Sequence, residues 1–337
     1  MAQHWYTISN IDRLDTPALV IYPERVQHNI ELLKSSIDNT DRLRVHAKTH
    51  KSPEATRLLL ANGIHKFKCA TIAEAEMLAM CGVPDVLLAY QPAGPKIERY
   101  IRLIQQFPDT LFACLVDNDL SAKCLANAAA EANLVMRVYI DLNVGMNRTG
   151  IAANSEALQL YLFCAQLPSL HIIGLHAYDG HIHDSDYEVR QQRSNEAFAP
   201  VAQLTEAIIE HGLPKPIIIA GGSPTFPIHA QRGEVECSPG TFIYWDWGYD
   251  QHYAEQAFLP AALVVTRVVS LPAPGLICLD AGHKSIASES GLAQRIHFLN
   301  APDLTVVGHS EEHLIVGTNG PHHFKVGQVL YLSLIHI

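Results

Sequence analysis

The sequence predicts an α/β fold, a TIM-like (β/α)8 barrel followed by a smaller, mostly β C-terminal domain. Short apolar or β-branched runs alternate with longer amphipathic segments from about residue 17 to residue 245, a pattern typical of parallel strands joined by helices. About nine such runs occur, one more than a barrel of eight strands requires. A doubly wound open sheet fits the same alternation, so the two architectures both remain open at this point.

Runs of β-branched and apolar residues bounded by turn residues mark the individual strands. In chain order, these runs are Ala18–Tyr22, Leu43–Ala47, Lys66–Ala70, Val86–Tyr90, Leu111–Val116, Val135–Leu142, His171–Tyr178, Pro216–Ala220 and Val235–Ser238. Either the first or the last of them is the extra strand, which can pair elsewhere. Helices are predicted between the runs, for example after Pro23 and Pro53, where proline occupies a first helical position. The segment Ile72–Cys81 has apolar residues at helical spacing and is followed by Gly82.

A change of pattern after about Phe258 predicts the β-rich domain. Strand-like runs follow one another there without long helices, at Ala261–Ser270, Leu276–Leu279, Ile296–Leu299, Leu304–Val307, His313–Val316 and Val329–Leu334. Turn residues such as Pro274-Gly275 separate them. We therefore assign residues 15–250 to the barrel, and residues 1–14 with 251–337 to the β-rich domain.

Composition excludes several classes of partner. The 337 residues include 24 Lys and Arg against 34 Asp and Glu, a net charge of −10, so we expect no nucleic-acid partner. No window approaches the ~18 uninterrupted apolar residues of a spanning helix, so we expect no membrane partner. The seven cysteines lie mostly in apolar runs, as buried thiols of a reducing, cytoplasmic compartment do. The 19 histidines indicate metal binding or proton transfer only in general terms.

Functional residues of a parallel barrel gather where its strands end, and Lys48 lies at such a point. It follows a predicted strand and is flanked by His46, His50 and Lys51. Neighbouring cations favour the neutral form of an amine, which is the form that makes a Schiff base. A solvated basic loop is the alternative interpretation of the same residues.

Two further strand ends carry Arg148 and Tyr178. Arg148 lies in a turn between Gly145 and Gly150, where a planar guanidinium can bind an anionic oxygen. Tyr178 is followed by aspartate and histidine residues and can stack on a planar ligand. A surface turn and a polar loop are the respective alternatives, since the histidine spacing after Tyr178 matches no standard zinc pattern.

Two glycine turns near the end of the barrel segment are predicted to hold a phosphate. One contains Gly222 and Ser223, and the other contains Gly240 and Thr241. Such turns offer backbone N–H groups and hydroxyls to an anion, and barrels usually bind phosphate after their last strands. A lysine at an early strand end and a phosphate site at the late ones together describe a site for pyridoxal phosphate.

The stretch His46-Ala47-Lys48-Thr49-His50-Lys51, with Asp15-Thr16-Pro17-Ala18 upstream, resembles the N-terminal signature of the D-threonine aldolase and D-serine dehydratase group. These proteins are alanine-racemase-like, fold-type III pyridoxal-phosphate enzymes. The resemblance extends from Asp15 to His336, and the two glycine turns follow in the expected order. It implies a TIM-like barrel followed by a β domain, pyridoxal 5′-phosphate as cofactor, and a homodimer with sites near the subunit interface.

The resemblance also implies roles for single residues. Lys48 would bind the cofactor as a Schiff base and then act as a base, Arg148 would face its phenolic oxygen, and Tyr178 would pack on its ring. The phosphate would be held by Gly222, Ser223, Gly240 and Thr241. Ser238 stands where the alanine racemases place an arginine against the pyridine nitrogen, so racemase activity is less expected. Glu236 is an alternative partner for that nitrogen.

A divalent metal, Mn²⁺ or Zn²⁺, is implied as well, held by a histidine and by a cysteine or aspartate two residues later. His336 aligns with the first of these ligands, and the sequence ends at Ile337, before the second. We therefore expect either a C-terminally truncated β-rich domain or a protein without the full metal site. An ordinary terminal histidine is the alternative for His336.

These features predict a pyridoxal-phosphate-dependent lyase that acts on D-β-hydroxy amino acids. The leading hypothesis is a metal-assisted D-threonine aldolase, which converts D-threonine to glycine and an aldehyde. A D-serine dehydratase, an ammonia-lyase, is the alternative within the same class. A non-catalytic pyridoxal-phosphate carrier is the alternative from another class, although single-barrel carriers lack a counterpart of residues 258–337. An amino-acid racemase is a third possibility.

Overall fold

The computed structural model describes residues 4–288, 291–318, 320 and 322–334. In these residues the strands are β1 (Ala18–Ile21), β2 (Arg44–His46), β3 (Lys66–Cys69), β4 (Asp85–Leu88), β5 (Leu111–Val116), β6 (Met136–Asn143), β7 (Ile151–Ala152), β8 (Leu170–Ala177), β9 (Ile217–Ala220), β10 (Val235–Cys237), β11 (Ala262–Ala273), β12 (Leu276–Leu279), β13 (Ile296–Phe298), β14 (Thr305–His309), β15 (Leu314–Gly317) and β16 (Val329–Leu334). The helices are α1 (Pro23–Ser35), α2 (Pro53–Ala61), α3 (Ile72–Met80), α4 (Pro95–Gln106), α5 (Asp119–Glu131), α6 (Ser155–Ala165), α7 (Tyr187–Glu210), α8 (Phe226–Ala230) and α9 (Trp247–His252).

The chain forms two compact units, residues 30–242 and residues 1–29 with 243–337. The first unit is a parallel sheet in the order β2-β3-β4-β5-β6-β8-β9-β10. Its two edges meet, because Leu43 bridges Cys237 in parallel and the His46 N–H donates to the Pro239 carbonyl. This closure confirms the (β/α)8 barrel and rules out the open doubly wound sheet.

Local sequence explains where the barrel helices begin. Pro53 occupies the first turn of α2, and the Ser52 hydroxyl accepts the Ala55 N–H (3.2 Å). The Thr71 hydroxyl likewise accepts the Glu74 N–H (3.1 Å) at the start of α3. Each of these caps satisfies a backbone donor that a helix leaves free at its first turn.

The barrel interior is layered. Its middle layer is an apolar cluster that contains Leu87, Leu115, Tyr139 and Ile219. An ion-pair network lies at the amino ends of the strands, where Arg44 contacts Asp85 (2.6 Å) and Glu236 (2.7 Å), and Lys66 contacts Glu236 (2.5 Å). The interior is therefore a packed core, and the other end, where the strands finish, is left for chemistry.

The second unit is an antiparallel sheet in the order β13-β16-β11-β12-β15-β14, and β1 also pairs with β11. Its buried residues include Val268, Ile277, Phe298 and Leu314. Here β1 is the extra strand of the sequence pattern, since it lies outside the barrel. The unit boundaries fall at 29/30 and 242/243, whereas the sequence pattern predicts 14/15 and 250/251.

All seven cysteines lie in the described residues as free thiols. Five of them are buried: Cys69, Cys114, Cys164, Cys237 and Cys278. None of the described helices is both long enough and apolar enough to cross a bilayer.

Candidate active site

The predicted site residues of the barrel unit all follow the carboxyl ends of its strands. Lys48 comes directly after β2 and is exposed. Its backbone N–H donates to Nδ1 of His46 (3.1 Å). Desolvation, assisted by the nearby Lys68 and Lys48 cations, lowers the pKa of His46 well below its usual value. The imidazole is therefore neutral and accepts a hydrogen bond that fixes the turn carrying Lys48.

Lys51, the other lysine of this turn, has a different partner. Its amine pairs with the buried Glu74 carboxylate, which also accepts the Ala70 N–H (2.8 Å). His50 lies beside this pair, and burial lowers its pKa to about 4. Lys51 thus anchors the turn, while Lys48 is the lysine left for chemistry at the mouth.

Tyr178 comes directly after β8, and two cations approach its ring. The guanidinium of Arg148 lies 5.3 Å from the ring centroid, and Nζ of Lys68 lies 5.4 Å from it, both within range of a cation–π interaction. The ring itself is held closely, because a Cβ added at Gly180 would meet it at 2.4 Å and one at Gly222 at 3.2 Å. Arg148 and Tyr178 are therefore brought together as predicted from their strand-end positions.

The two glycine turns are joined by one hydroxyl. Ser223 Oγ accepts the backbone N–H groups of Gly240 (3.1 Å) and Thr241 (3.0 Å). Two donors thus converge on one oxygen position, which is the arrangement that binds an anionic oxygen. The glycines that follow apolar strands predict the two turns, and the structure adds the contact through Ser223 that joins them.

A buried network that the sequence analysis did not identify holds the Tyr178 end to the first glycine turn. Asp179 accepts the Thr225 hydroxyl (2.8 Å) and contacts His229 Nε2 (2.9 Å). Thr225 Oγ1 in turn accepts the Gly222 N–H (3.3 Å), and Arg232 contacts His229 Nδ1 (2.8 Å). In the sequence, Asp179 directly after Tyr178 is the signal for such a network, since a carboxylate buried at a strand end needs hydrogen-bond donors.

His176 and Asp141 form a second buried pair at the same end of the barrel. His176 Nδ1 lies 2.8 Å from Asp141 Oδ1, and Gln91 donates to the other oxygen (2.8 Å). Burial lowers the pKa of His176, although the hydrogen bond to Asp141 acts in the opposite direction. At Asp141 burial raises the pKa, but hydrogen bonds, first from His176, outweigh burial and lower it. A neutral His176 therefore donates through Nδ1 and keeps a lone pair on Nε2.

His176 Nε2 and Ser238 Oγ are among the buried polar atoms of the described residues that have no hydrogen-bond partner. Buried polar groups are normally paired. Together with the exposed Lys48 amine and the converging turn N–H groups, they fit a planar, anionic, aldehyde-bearing ligand such as pyridoxal 5′-phosphate. Glu236 does not belong to this group, because Arg44 and Lys66 bind it at the amino ends of the strands. It is therefore not the partner of a ring nitrogen.

The metal prediction has no counterpart in the described residues. No group of three or more histidine, cysteine, aspartate or glutamate side chains that could hold a metal occurs in residues 4–288, 291–318, 320 and 322–334. His336 lies outside the described residues.

Comparison with known proteins agrees with this geometry. Residues 21–246 match the alanine racemase N-terminal domain. The chain belongs to this alanine-racemase-like family of fold-type III pyridoxal-phosphate enzymes. Residues 261–337 match a second family, the putative serine dehydratase domain. The family resemblance drawn from the sequence is thereby confirmed.

Several named relatives are lyases, and alanine racemases match over shorter parts of the chain. A D-threonine aldolase of an Arthrobacter species is 28% identical over 96% of this chain and 86% of its own length. The D-threo-3-hydroxyaspartate dehydratase of Delftia sp. strain HT23 is 27% identical over 84% and 75%. The crystal structure of D-threonine aldolase from Filomicrobium marinum superimposes with a TM-score of 0.86, at 26% identity, over 96% of this chain and 87% of that one. These relatives confirm the prediction of a pyridoxal-phosphate-dependent lyase.

Proposed function

We propose that this family member is a lyase for D-β-hydroxy amino acids and works as a D-threonine aldolase. One observation carries the proposal: Lys48, the Arg148–Tyr178 pair and the Ser223-linked turns all lie at the carboxyl ends of strands in one barrel. An amine, an aromatic face with a cation, and an anion site are the three features that pyridoxal phosphate requires. When bound, the cofactor supplies a sink for the electrons released at Cα of the substrate.

The chain's own residues have separable roles in this proposal. Lys48 would hold the cofactor through Nζ, and the same amine would hold a proton once the substrate is bound. Tyr178 would pack on the cofactor ring, and Arg148 would face its phenolic oxygen. Gly222, Ser223, Gly240 and Thr241 would hold the phosphate. The Gly240 and Thr241 N–H groups, which donate to Ser223 Oγ, would be available to phosphate oxygens.

The proton that is removed distinguishes the two lyase reactions. An aldolase takes the proton of the β-hydroxyl, the Cα–Cβ bond breaks, and D-threonine gives glycine and acetaldehyde. A dehydratase takes the Cα proton, the hydroxyl leaves as water with a proton, and hydrolysis of the resulting imine by one water gives a 2-oxo acid and ammonia from D-serine. The aldolase is preferred because one D-threonine aldolase is 28% identical over 96% of this chain and another superimposes with a TM-score of 0.86. The D-threo-3-hydroxyaspartate dehydratase of Delftia sp. HT23 superimposes over the same share of this chain with a TM-score of 0.82.

Replacing Lys48 tests the cofactor role. Lys48→Ala is expected to abolish the visible absorbance of the loaded protein and its turnover of D-threonine. Lys51→Ala is the matched control from the same turn, and it should keep the absorbance because Lys51 pairs with Glu74. An unchanged spectrum in Lys48→Ala would contradict the assignment.

Product analysis tests the reaction. We expect glycine and aldehyde from D-threonine, and the dehydratase is supported instead if ammonia and a 2-oxo acid from D-serine dominate. Racemisation without release of either product would favour a racemase. Cofactor binding without any product would favour a carrier.

Metal assistance and a homodimer remain predictions from the family resemblance. The described residues form no metal site, and His336 lies outside them. Comparing turnover after EDTA treatment with turnover after adding Mn²⁺ or Zn²⁺ tests the first prediction, and the mass of the particle in solution tests the second.

A further inference from the structure

Lys68 is a buried lysine of the barrel that the proposed function leaves without a role. It is the third residue of β3, only 2% exposed, and its register neighbours are His46 on β2 and Leu87 on β4. Because side chains alternate along a strand, Lys68 and Lys66 share one face. Lys66, at the amino end, binds Glu236 (2.5 Å). Lys68 lies nearer the carboxyl end, with its amine 5.4 Å from the Tyr178 ring centroid.

The two carboxylates that attract Lys68 are committed to other partners. Asp141 directs its oxygens to His176 and Gln91, and Asp179 directs its oxygens to Thr225 and His229. Neither carboxylate neutralises the amine by a direct hydrogen bond. The lysine is therefore a buried amine that lies over the aromatic face of Tyr178.

Several charged or titratable groups act on this amine from different elements. Lys48, Arg44 and His46 approach it from β2 and the following turn, Asp141 from β6, and His176 and Asp179 from the end of β8. Burial first, and then the charge of Lys48, lower the pKa of Lys68 to about 7, although Asp179 and Asp141 oppose this. Near neutral pH the amine is thus poised between its two forms, and a new negative charge in front of it shifts the balance towards the ammonium.

We propose that Lys68 is the cation that faces the aromatic ring of the bound cofactor, a role that Ser238 cannot fill, and that its amine takes up a proton when the cofactor binds. The inference rests on the proposed function. Ser238 has a buried hydroxyl without a partner in the described residues, and a hydroxyl carries no permanent charge. Protonation of the Lys68 amine forms one N–H bond at Nζ, and the proton comes from solvent.

The test uses pyridoxine 5′-phosphate, which lacks the aldehyde and so cannot react with Lys48. Calorimetry is run in two buffers of different ionisation enthalpy, at a pH about one unit above the titration midpoint of Lys68 in the ligand-free protein. It gives both the affinity and the number of protons taken up per ligand. Wild type should take up more protons per ligand than Lys68→Met, which should also bind about tenfold more weakly because a charge-assisted contact is lost. Lys68→Arg should keep the affinity but lose the extra uptake, because a guanidinium stays charged.

Lys66→Met is the matched control from the same strand face, and it should keep both the affinity and the proton uptake. If Lys68→Met also keeps both, this inference is overturned while the cofactor site stands. If wild type does not bind pyridoxine 5′-phosphate, the proposed function fails and the inference fails with it.

A second measurement does not depend on how the arginine variant folds. NMR of lysine labelled with ¹³C at Cε, in wild type, should show one signal that is missing in Lys68→Met. Its titration midpoint should rise when pyridoxine 5′-phosphate binds. A midpoint that does not move with ligand would overturn the inference.

Discussion

Burial and hydrogen bonds together keep single residues at the barrel mouth in defined protonation states. Neutral His46 and His176 supply acceptor nitrogens, and ionised Asp141 fixes the orientation of His176. Lys68 is the exception, because its charged form is only marginally tolerated. The sequence alone does not single out Lys68 in the predicted strand Lys66–Ala70, since lysines are seldom fully buried. Closure of the barrel places the face of β3 that carries Lys66 and Lys68 inside.

The lowered pKa of Lys68 predicts a pH-dependent stability difference. Unfolding restores the ordinary value of 10.5, so between about pH 10 and 7 the unfolded chain binds the proton more readily than the folded chain. As pH falls through that window, the free energy of unfolding decreases by roughly 1.4 kcal/mol per pH unit, to a total of several kcal/mol. Urea unfolding of the cofactor-free chain should therefore show Lys68→Met more stable than wild type at neutral pH. The gap should close near pH 10.5, and a gap independent of pH contradicts the assignment.

At the scale of elements, loops after separate strands become one site through a few shared side chains. Ser223 joins the turns after β9 and β10, and Asp179 joins the end of β8 to the turn after β9. The turns themselves could be predicted because glycine and proline mark them in the sequence. The links between them could not, since residues such as Asp179 and His229 are about fifty positions apart in the chain.

Removing the Asp179 carboxylate should weaken cofactor binding and stability together. Asp179→Ala leaves His229 and the Thr225 hydroxyl without their buried acceptor, which costs about 2–4 kcal/mol in the free energy of unfolding. We expect a lower affinity for pyridoxal phosphate by fluorescence titration. Asp184→Ala serves as the control, because Asp184 pairs with the partly exposed Arg193. Equal behaviour of the two variants would show that Asp179 does not support the phosphate turn.

At the scale of the whole molecule, the fold class could be predicted because alternation of strands and helices survives any uncertainty about single boundaries. The number of barrel strands could not be read directly, since β1 has the same apolar character as a barrel strand and pairs instead with β11. The interior ion pairs around Glu236 were also hidden, because they join residues from β2, β3, β4 and β10. Those pairs mark the end of the barrel opposite to the site.

Replacing Glu236 tests whether the ion pairs and the cofactor site lie at opposite ends of the barrel. Glu236→Gln leaves the buried Arg44 with a weaker partner, so stability should fall by about 3–5 kcal/mol. The absorbance spectrum of the bound cofactor should nevertheless match that of wild type. A spectral shift would place Glu236 at the cofactor ring, against the structure.

The proposed function requires that Lys48 holds the cofactor at the mouth of this barrel. Reducing the pyridoxal-phosphate-loaded chain with borohydride fixes the linkage, and mass spectrometry of its peptides then locates the modified lysine. The label is predicted on Lys48, with Lys51 and Lys68 unmodified. A label on either of those lysines, or no label in a protein that shows cofactor absorbance, would contradict the account.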